Sequence, residues 1–73
     1  MAKVLGMNAF TFTLLMRDGN MHQVYILNSR NRDEAIDHMN KLLRHGRGVT
    51  FFQPNKLDTV TVSMGYVFQA LPH

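Results

Sequence analysis

The sequence predicts a two-layer α+β domain, and three observations lead to that prediction. Two apolar-rich runs flank Asp18 and Gly19, a pair of residues typical of a β-hairpin turn. Residues 28–48 repeat apolar side chains at helical spacing. Residues 58–73 alternate apolar and polar side chains, as a strand with one buried face does. We therefore expect one helix to cover one face of an antiparallel or mixed sheet of about four strands.

The apolar pattern also predicts the register of the hairpin. A two-residue turn at 18–19 would place Phe12 opposite Tyr25 and leave apolar and polar side chains mixed on both faces. A three-residue loop at 17–19, with its glycine in the left-handed conformation, places Phe12 opposite Val24 instead. That register gives one apolar face and one mostly polar face, so we predict the three-residue loop.

The helix is predicted between residues 28 and 48. Asn31 precedes Glu34 by three residues, which is the spacing of a capping box, and Ser29 is a second candidate for the N-cap. Gly46 is suited to the left-handed conformation that ends a helix. The apolar stripe that should face the sheet consists of Ala35, Ile36, Met39, Leu42 and Leu43.

Two further strands are predicted after the helix. Residues 49–53 have the composition of a strand, and Pro54 with Asn55 should turn the chain. Because proline has no amide hydrogen to donate, that strand should lie at an edge or stop at Pro54. The closing stretch, residues 58–73, is the longest and most regular, so we expect it at the centre of the sheet, with a bulge or bend at Gly65. Its apolar positions are Val60, Val62, Met64, Tyr66, Phe68 and Ala70.

The predicted order of elements is strand, strand, helix, strand, strand. This order, with the glycine-containing hairpin loop, is similar to that of β-grasp domains such as the ubiquitin-like ones, where a strand returns beside the first. No sequence motif accompanies the similarity. The whole chain should form a single domain, with residues 1–7 expected to be flexible. The predicted core consists of Phe10, Phe12, Leu14, Val24, Ile26, Ile36, Met39, Leu42, Leu43, Val60, Val62 and Met64.

Length and composition limit the classes of protein to consider. The 73 residues suffice for one domain with a small core, and the net charge of +3 is mildly basic. The chain has no cysteine, so disulfides and thiolate metal ligands are excluded. Self-association remains as a common way to stabilise so small a domain. With no apolar run as long as a membrane span and no signal-peptide cleavage pattern, we expect a cytoplasmic protein without membrane contact.

No group of residues has the spacing of a catalytic or metal site. His38 and His45 are seven residues apart, whereas a helical metal site needs a spacing of three or four and a further ligand. Glu34 lies four residues before His38, which suits a solvated surface pair. Asp33 and Asp37 lie with Glu34 in the first turns of the helix, where its dipole favours negative charge. We therefore expect neither enzymatic activity nor a cofactor.

A basic cluster offers nucleic-acid binding as the alternative function. The helix dipole explains Arg44, in the last turn, but it does not explain the arginines in the connections. Tyr25 and Phe52 would stack on bases while the cluster contacts phosphates. The candidate phosphate contacts are Arg30, Arg32, Arg44 and Arg47.

The sheet face turned away from the helix is the principal candidate for function. An exposed face with apolar side chains is typical of a protein contact. By the predicted registers this face carries Leu15, Met21, Tyr25, Phe52 and Val67. We therefore expect a non-catalytic protein–protein interaction module that self-associates, as a homodimer or larger, through this face or through an unpaired edge strand. A third possibility is that the N-terminal segment folds over the face.

Overall fold

The computed structural model of the chain describes residues 2–4, 7–54 and 56–73. Within these residues the chain forms an α+β fold in which every strand pair is antiparallel, in agreement with the predicted fold class. A 3-10 turn at Met64–Tyr66 joins the last two strands. The elements are β1 (Ala2–Val4), β2 (Met7–Met16), β3 (Met21–Leu27), α1 (Arg32–His45), β4 (Gly48–Phe52), β5 (Thr59–Ser63) and β6 (Val67–Pro72).

The larger of two sheets has four strands, and β2 is its central strand. β3 pairs with residues 9–15 of β2. β1, which the sequence pattern did not predict, pairs with residues 7–9, and β6 pairs with residues 12–16, so these two strands share the other side of β2. The chain thus returns beside the first hairpin strand, because β6 pairs with β2, and the two strands are antiparallel. The smaller sheet is the β4–β5 hairpin.

The predicted central position of the closing stretch is wrong. Residues 59–63 form β5 in the smaller sheet, and residues 67–72 form β6 beside β2 in the larger one. The division occurs at Gly65, where a bend was predicted. Gly65 packs closely in this turn, since a Cβ atom built on it would lie 3.3 Å from the carbonyl oxygen of Gly46. The turn also interrupts the alternation of side chains, which leaves Tyr66 and Phe68 exposed.

The β2–β3 hairpin has the predicted three-residue loop. Phe12 lies opposite Val24, and the ladder continues to Met16, whose backbone N–H donates to the carbonyl oxygen of Asn20 at 2.8 Å. Gly19 has φ of 90°, in the left-handed region. The loop is closed further by Asp18, whose carboxylate accepts hydrogen bonds from the backbone and the side chain of Asn20. The register inferred from the apolar pattern is therefore confirmed.

The helix has both predicted caps. The side-chain oxygen of Asn31 accepts a hydrogen bond from the backbone N–H of Glu34 at 2.9 Å. The Glu34 carboxylate reaches back to the backbone N–H of Arg30 at 3.4 Å, one residue before the N-cap, as a variant of the capping box. Gly46 ends the helix with φ of 68°, and its N–H donates to the carbonyl oxygen of Leu42.

The core lies between the larger sheet on one side and the helix with the β4–β5 hairpin on the other. Every residue of the predicted core belongs to this one hydrophobic cluster, either buried or half-buried. Among the described residues, this cluster contains four buried residues that the predicted core did not include, namely Met16, Ala35, Phe51 and Val67. Phe51 belongs to β4, which ends at Phe52, before Pro54, as expected for a strand followed by proline. The remainder of the predicted turn, Asn55, lies outside the described residues.

Candidate interaction surface

The larger sheet presents one face to the core and the opposite face outward. Because Phe12, Leu14, Val24 and Ile26 are buried, the residues between them point away from the helix. On β6, half-buried Ala70 packs against the core, so its neighbours also point outward. We call this outward surface the open face; its exposed and half-buried residues are Thr11, Thr13, Leu15, Met21, Gln23, Tyr25, Leu27, Gln69, Leu71 and His73. Ala9, opposite Leu27, points to the same side but is 0% exposed, so it adds no accessible surface to the open face.

The open face is organised in rows that cross three strands. In one row Leu15 lies between Met21 and Gln69, and in the next row Thr13 lies between Gln23 and Leu71. Met21 is 67% exposed and Leu71 is 43% exposed, while Leu15, Tyr25 and Leu27 are half-buried. Polar and apolar side chains thus alternate on this surface, and none of its residues is Asp, Glu, Lys or Arg.

His73 anchors one end of the open face. Its backbone N–H donates to the carbonyl oxygen of Thr11 at 3.0 Å, which extends the β2–β6 ladder by one residue. Its ring Nε2 lies 2.6 Å from the hydroxyl oxygen of Thr13. Its carbonyl oxygen accepts a hydrogen bond from Nε of Arg32 at 3.3 Å. These three contacts join the end of β6 to the central strand and to the start of α1.

The structure brings together three of the five predicted interface residues. Leu15, Met21 and Tyr25 lie on the open face. Phe52 is 42% exposed, but it belongs to β4, where it and Tyr25 line a shallow groove of about 280 Å³ between β3 and β4. Val67 is 6% exposed and belongs to the core, so its predicted place on the outward face is wrong.

The burial of Val67 has a local cause. Between Leu15 and Met16 the β2–β6 register shifts: Leu15 pairs with Gln69 and Met16 pairs with Val67, which leaves Phe68 as the extra residue of a bulge. Such a bulge exchanges the faces to which successive side chains point. The same pairing brings Leu71 onto the open face, where the sequence analysis did not place it. The alternation of side chains along the strand is the signal that would have found Leu71, because it follows Ala70, which was placed on the apolar side.

The four candidate arginines fall into two separate pairs. Arg30 and Arg32 lie at the start of α1, while Arg44 and Arg47 lie at its other end. The 14 residues of the helix span about 21 Å. Arg30 forms an ion pair with Glu34 at 3.1 Å, and Arg32 donates to the carbonyl oxygen at the end of β6. The structure therefore does not gather these arginines into one basic patch.

The described residues hold no cluster of three or more His, Asp or Glu side chains that could bind a metal ion. His38 lines a second shallow groove together with Glu34, Asp37 and Lys41. In this groove Lys41 forms an ion pair with Asp37 at 3.5 Å.

No helix in the described part of the chain is long and apolar enough to cross a membrane.

Comparison of the chain with protein-family models, with curated proteins and with solved structures finds no match. The surfaces described above are therefore the features of this chain that bear on its function.

Proposed function

We propose that this chain is a small, non-catalytic interaction module that self-associates through the open face. The observation that carries the proposal is the uncovered apolar side chains of that face, with Met21 and Leu71 the most exposed among them. The helix and the second hairpin both pack on the other side of the sheet. Exposed apolar side chains grouped on one surface are typical of a protein contact.

The absence of charge on the open face favours a second copy as the partner. In a two-fold symmetric dimer each residue approaches residues of the same surface, so a face with charges of one sign would repel itself. The net charge of +3 comes from residues elsewhere on the molecule. Two such faces can pack as stacked sheets about 10 Å apart, with Leu15, Met21 and Leu71 in the contact.

The size of the open face sets the expected strength of this contact. Three strands about 4.8 Å apart and about seven residues long give roughly 300 Å² in projection. A standard interface buries about 800 Å² of accessible surface per partner. The contact is thus smaller than standard, and we expect a dimer that dissociates on dilution through the micromolar range.

Nucleic-acid binding is the alternative, and the geometry supports it less. Phosphate contacts need several cations on one surface. Here the arginines lie in two pairs at opposite ends of the helix, and the open face carries no cation that could accompany stacking on Tyr25.

Sedimentation equilibrium over a range of concentrations tests the proposal. Met21→Asp and Leu71→Asp each place a carboxylate on the open face and should lower the average mass towards the 8.4 kDa of the monomer. Asn40→Asp adds the same charge on an exposed position of α1 and should leave the mass unchanged. Circular dichroism of each variant checks that the fold is retained.

A Leu71→Asp variant with the same mass as the parent at every concentration would contradict self-association through the open face. A parallel titration with labelled single-stranded and duplex nucleic acid, at two salt concentrations, tests the alternative. Tight binding that weakens steeply with salt, by a protein that remains monomeric, would favour the nucleic-acid function.

A further inference from the structure

β5 is an edge strand without the features that protect other edges. It pairs with β4 on one side, and no strand of the described part of the chain pairs with its other side. Its sequence, Thr-Val-Thr-Val-Ser, contains no charge and no proline and is rich in β-branched residues. By contrast, β6 carries a bulge and Pro72, β1 has only three residues, and the free edge of β3 faces β4 across a shallow groove. Short length, lysine, proline and bulges are the usual protections against edge-to-edge pairing.

The hydrogen-bonding pattern of the smaller sheet identifies which backbone groups of β5 point outward. The N–H of Met64 donates to the carbonyl oxygen of Arg47 at 3.0 Å, in the same register as the β4–β5 ladder. Hydrogen-bonded pairs recur at every second residue of an antiparallel ladder. Val62 and Val60 therefore bond to β4. The backbone groups of the remaining residues of β5 point away from β4, and these are Thr59, Thr61 and Ser63.

Two of the outward groups are already used within the chain. The N–H of Thr59 donates to the carboxylate of Asp58 at 2.7 Å. Ser63 is the N-cap of the 3-10 turn, so its carbonyl oxygen accepts the first hydrogen bond of that turn. In the described part of the chain the other outward groups have no hydrogen-bond partner. They are the carbonyl oxygen of Thr59, the N–H and the carbonyl oxygen of Thr61, and the N–H of Ser63.

These free groups are complementary to themselves. If a second copy of β5 lies antiparallel to the first, with a two-fold axis at Thr61, then Thr61 lies opposite Thr61 of the second copy. Thr59 of each copy then lies opposite Ser63 of the other copy. The two Thr61 residues then exchange two hydrogen bonds, and each Ser63 N–H donates to the Thr59 carbonyl oxygen of the other copy. Every free group is satisfied, and the two groups used within the chain are not needed. In any other register, some of these donors and acceptors would lie opposite groups that are already bonded within the chain, or opposite no group at all.

We propose that β5 pairs with β5 of a second copy of this chain in that register, which joins two hairpins into one four-stranded antiparallel sheet. Half-buried Val60 then lies opposite Val62 of the second copy, on the side of the sheet that faces the core. The side chain of Thr61 lies on the other side, where its hydroxyl oxygen is 2.9 Å from that of Thr50.

The edge contact is independent of the open face, because it uses a different sheet and different residues. Each contact has its own two-fold axis. A chain with both contacts forms tetramers or longer assemblies, whereas a chain with one contact forms dimers. The two proposals can therefore fail separately.

Charge substitution at the two-fold position tests the edge contact. Thr61→Lys and Thr61→Glu each place like charges opposite one another, so each variant alone should lose the edge contact. An equimolar mixture should regain it, because lysine then lies opposite glutamate. Thr50→Lys and Thr50→Glu are the matched controls, since Thr50 lies on the same outer surface but on β4. The measurement is the mass by sedimentation equilibrium, in the parent and in the Leu71→Asp background.

In the Leu71→Asp background we expect a dimer at the highest concentrations, a monomer with either Thr61 substitution alone and a dimer again in the mixture. The Thr50 variants should keep the dimer. Amide hydrogen exchange of the unmodified chain gives a second readout. With rising concentration the N–H groups of Thr61 and Ser63 should exchange more slowly, by tenfold or more in the dimer, while those of Val60 and Val62 stay protected throughout.

Amide exchange at Thr61 that does not change with concentration would overturn the edge proposal, as would a mixture of charge variants that stays monomeric. If the edge proposal fails while Leu71→Asp still lowers the mass of the parent, the open face alone remains as the contact. If Leu71→Asp has no effect and the Thr61 mixture still dimerises, the edge alone remains.

Discussion

Single residues with unusual backbone conformations follow β2, β3 and the helix of this protein. Gly19 and Gly46 have positive φ values, at the hairpin loop and at the C-terminus of α1. Asn28 also has a positive φ, of 65°, directly after β3, and asparagine tolerates this region better than most residues. The chain therefore turns where the side chain permits the left-handed conformation, which is why these turns can be recognised from the sequence.

Replacement of Gly19 by valine should destabilise the protein by about 1 kcal/mol or more, because a β-branched side chain is strained at positive φ. Gly48→Val is the matched control. A Cβ atom at either glycine has open space around it, but Gly48 lies in a strand without a positive φ. Urea denaturation of both variants measures the difference in the free energy of unfolding. Equal stability of the two variants would show that the conformation of Gly19 imposes no cost.

At the scale of elements, the helix packs on the core through an apolar stripe whose residues are buried to different extents. Ala35 and Met39 are buried, whereas Ile36, Leu42 and Leu43 are half-buried at the margin of the core. The periodicity predicted all five residues but not this difference in burial. The helix packs mainly on the 3-10 turn, β3 and β6, so the side chains at the margin of the stripe stay partly accessible to solvent.

Met39→Ala should therefore lower the free energy of unfolding by about 2–5 kcal/mol, the usual cost of emptying a fully buried site. Leu42→Ala should cost less, because solvent already reaches part of that side chain. Asn40→Ala, at an exposed position of the same helix, should change stability little. Chemical denaturation of the three variants gives the ranking. A larger loss for Leu42→Ala than for Met39→Ala would contradict the arrangement of the core.

At the scale of the whole molecule, a well-formed core coexists with two uncovered surfaces, the open face and the edge of β5. The core involves one face of the larger sheet, and no described element covers the other. A domain of 73 residues gains limited stability from its own core. Association of copies would add to that stability, and the addition depends on concentration.

The melting temperature of the parent should therefore rise with protein concentration, because binding between folded copies stabilises the folded state by mass action. A variant that combines Leu71→Asp with Thr61→Lys removes both proposed contacts and should melt at a temperature independent of concentration. Differential scanning calorimetry at several concentrations measures both. A concentration-independent melting temperature for the parent would contradict self-association by either surface.

The sequence by itself determined the elements of this protein from β2 onward, the register of the β2–β3 hairpin and the helix caps. These features depend on local periodicity and on residues with special backbone preferences, as in the Asn31 cap and the loop at Gly19. It also determined most of the core, and it placed Leu15, Met21 and Tyr25 correctly on one outward surface, since all three follow from the hairpin register.

Only the tertiary structure decided which strands meet and which surfaces stay open. The turn at Gly65 sends β5 and β6 into different sheets, and the bulge beside Met16 then places Val67 in the core. Phe52 belongs to the smaller sheet, because its strand, β4, pairs with β5. Pairing between segments distant in the chain is a cooperative property of the packed molecule, since many alternative registers have similar local energies and burial of the core selects one of them.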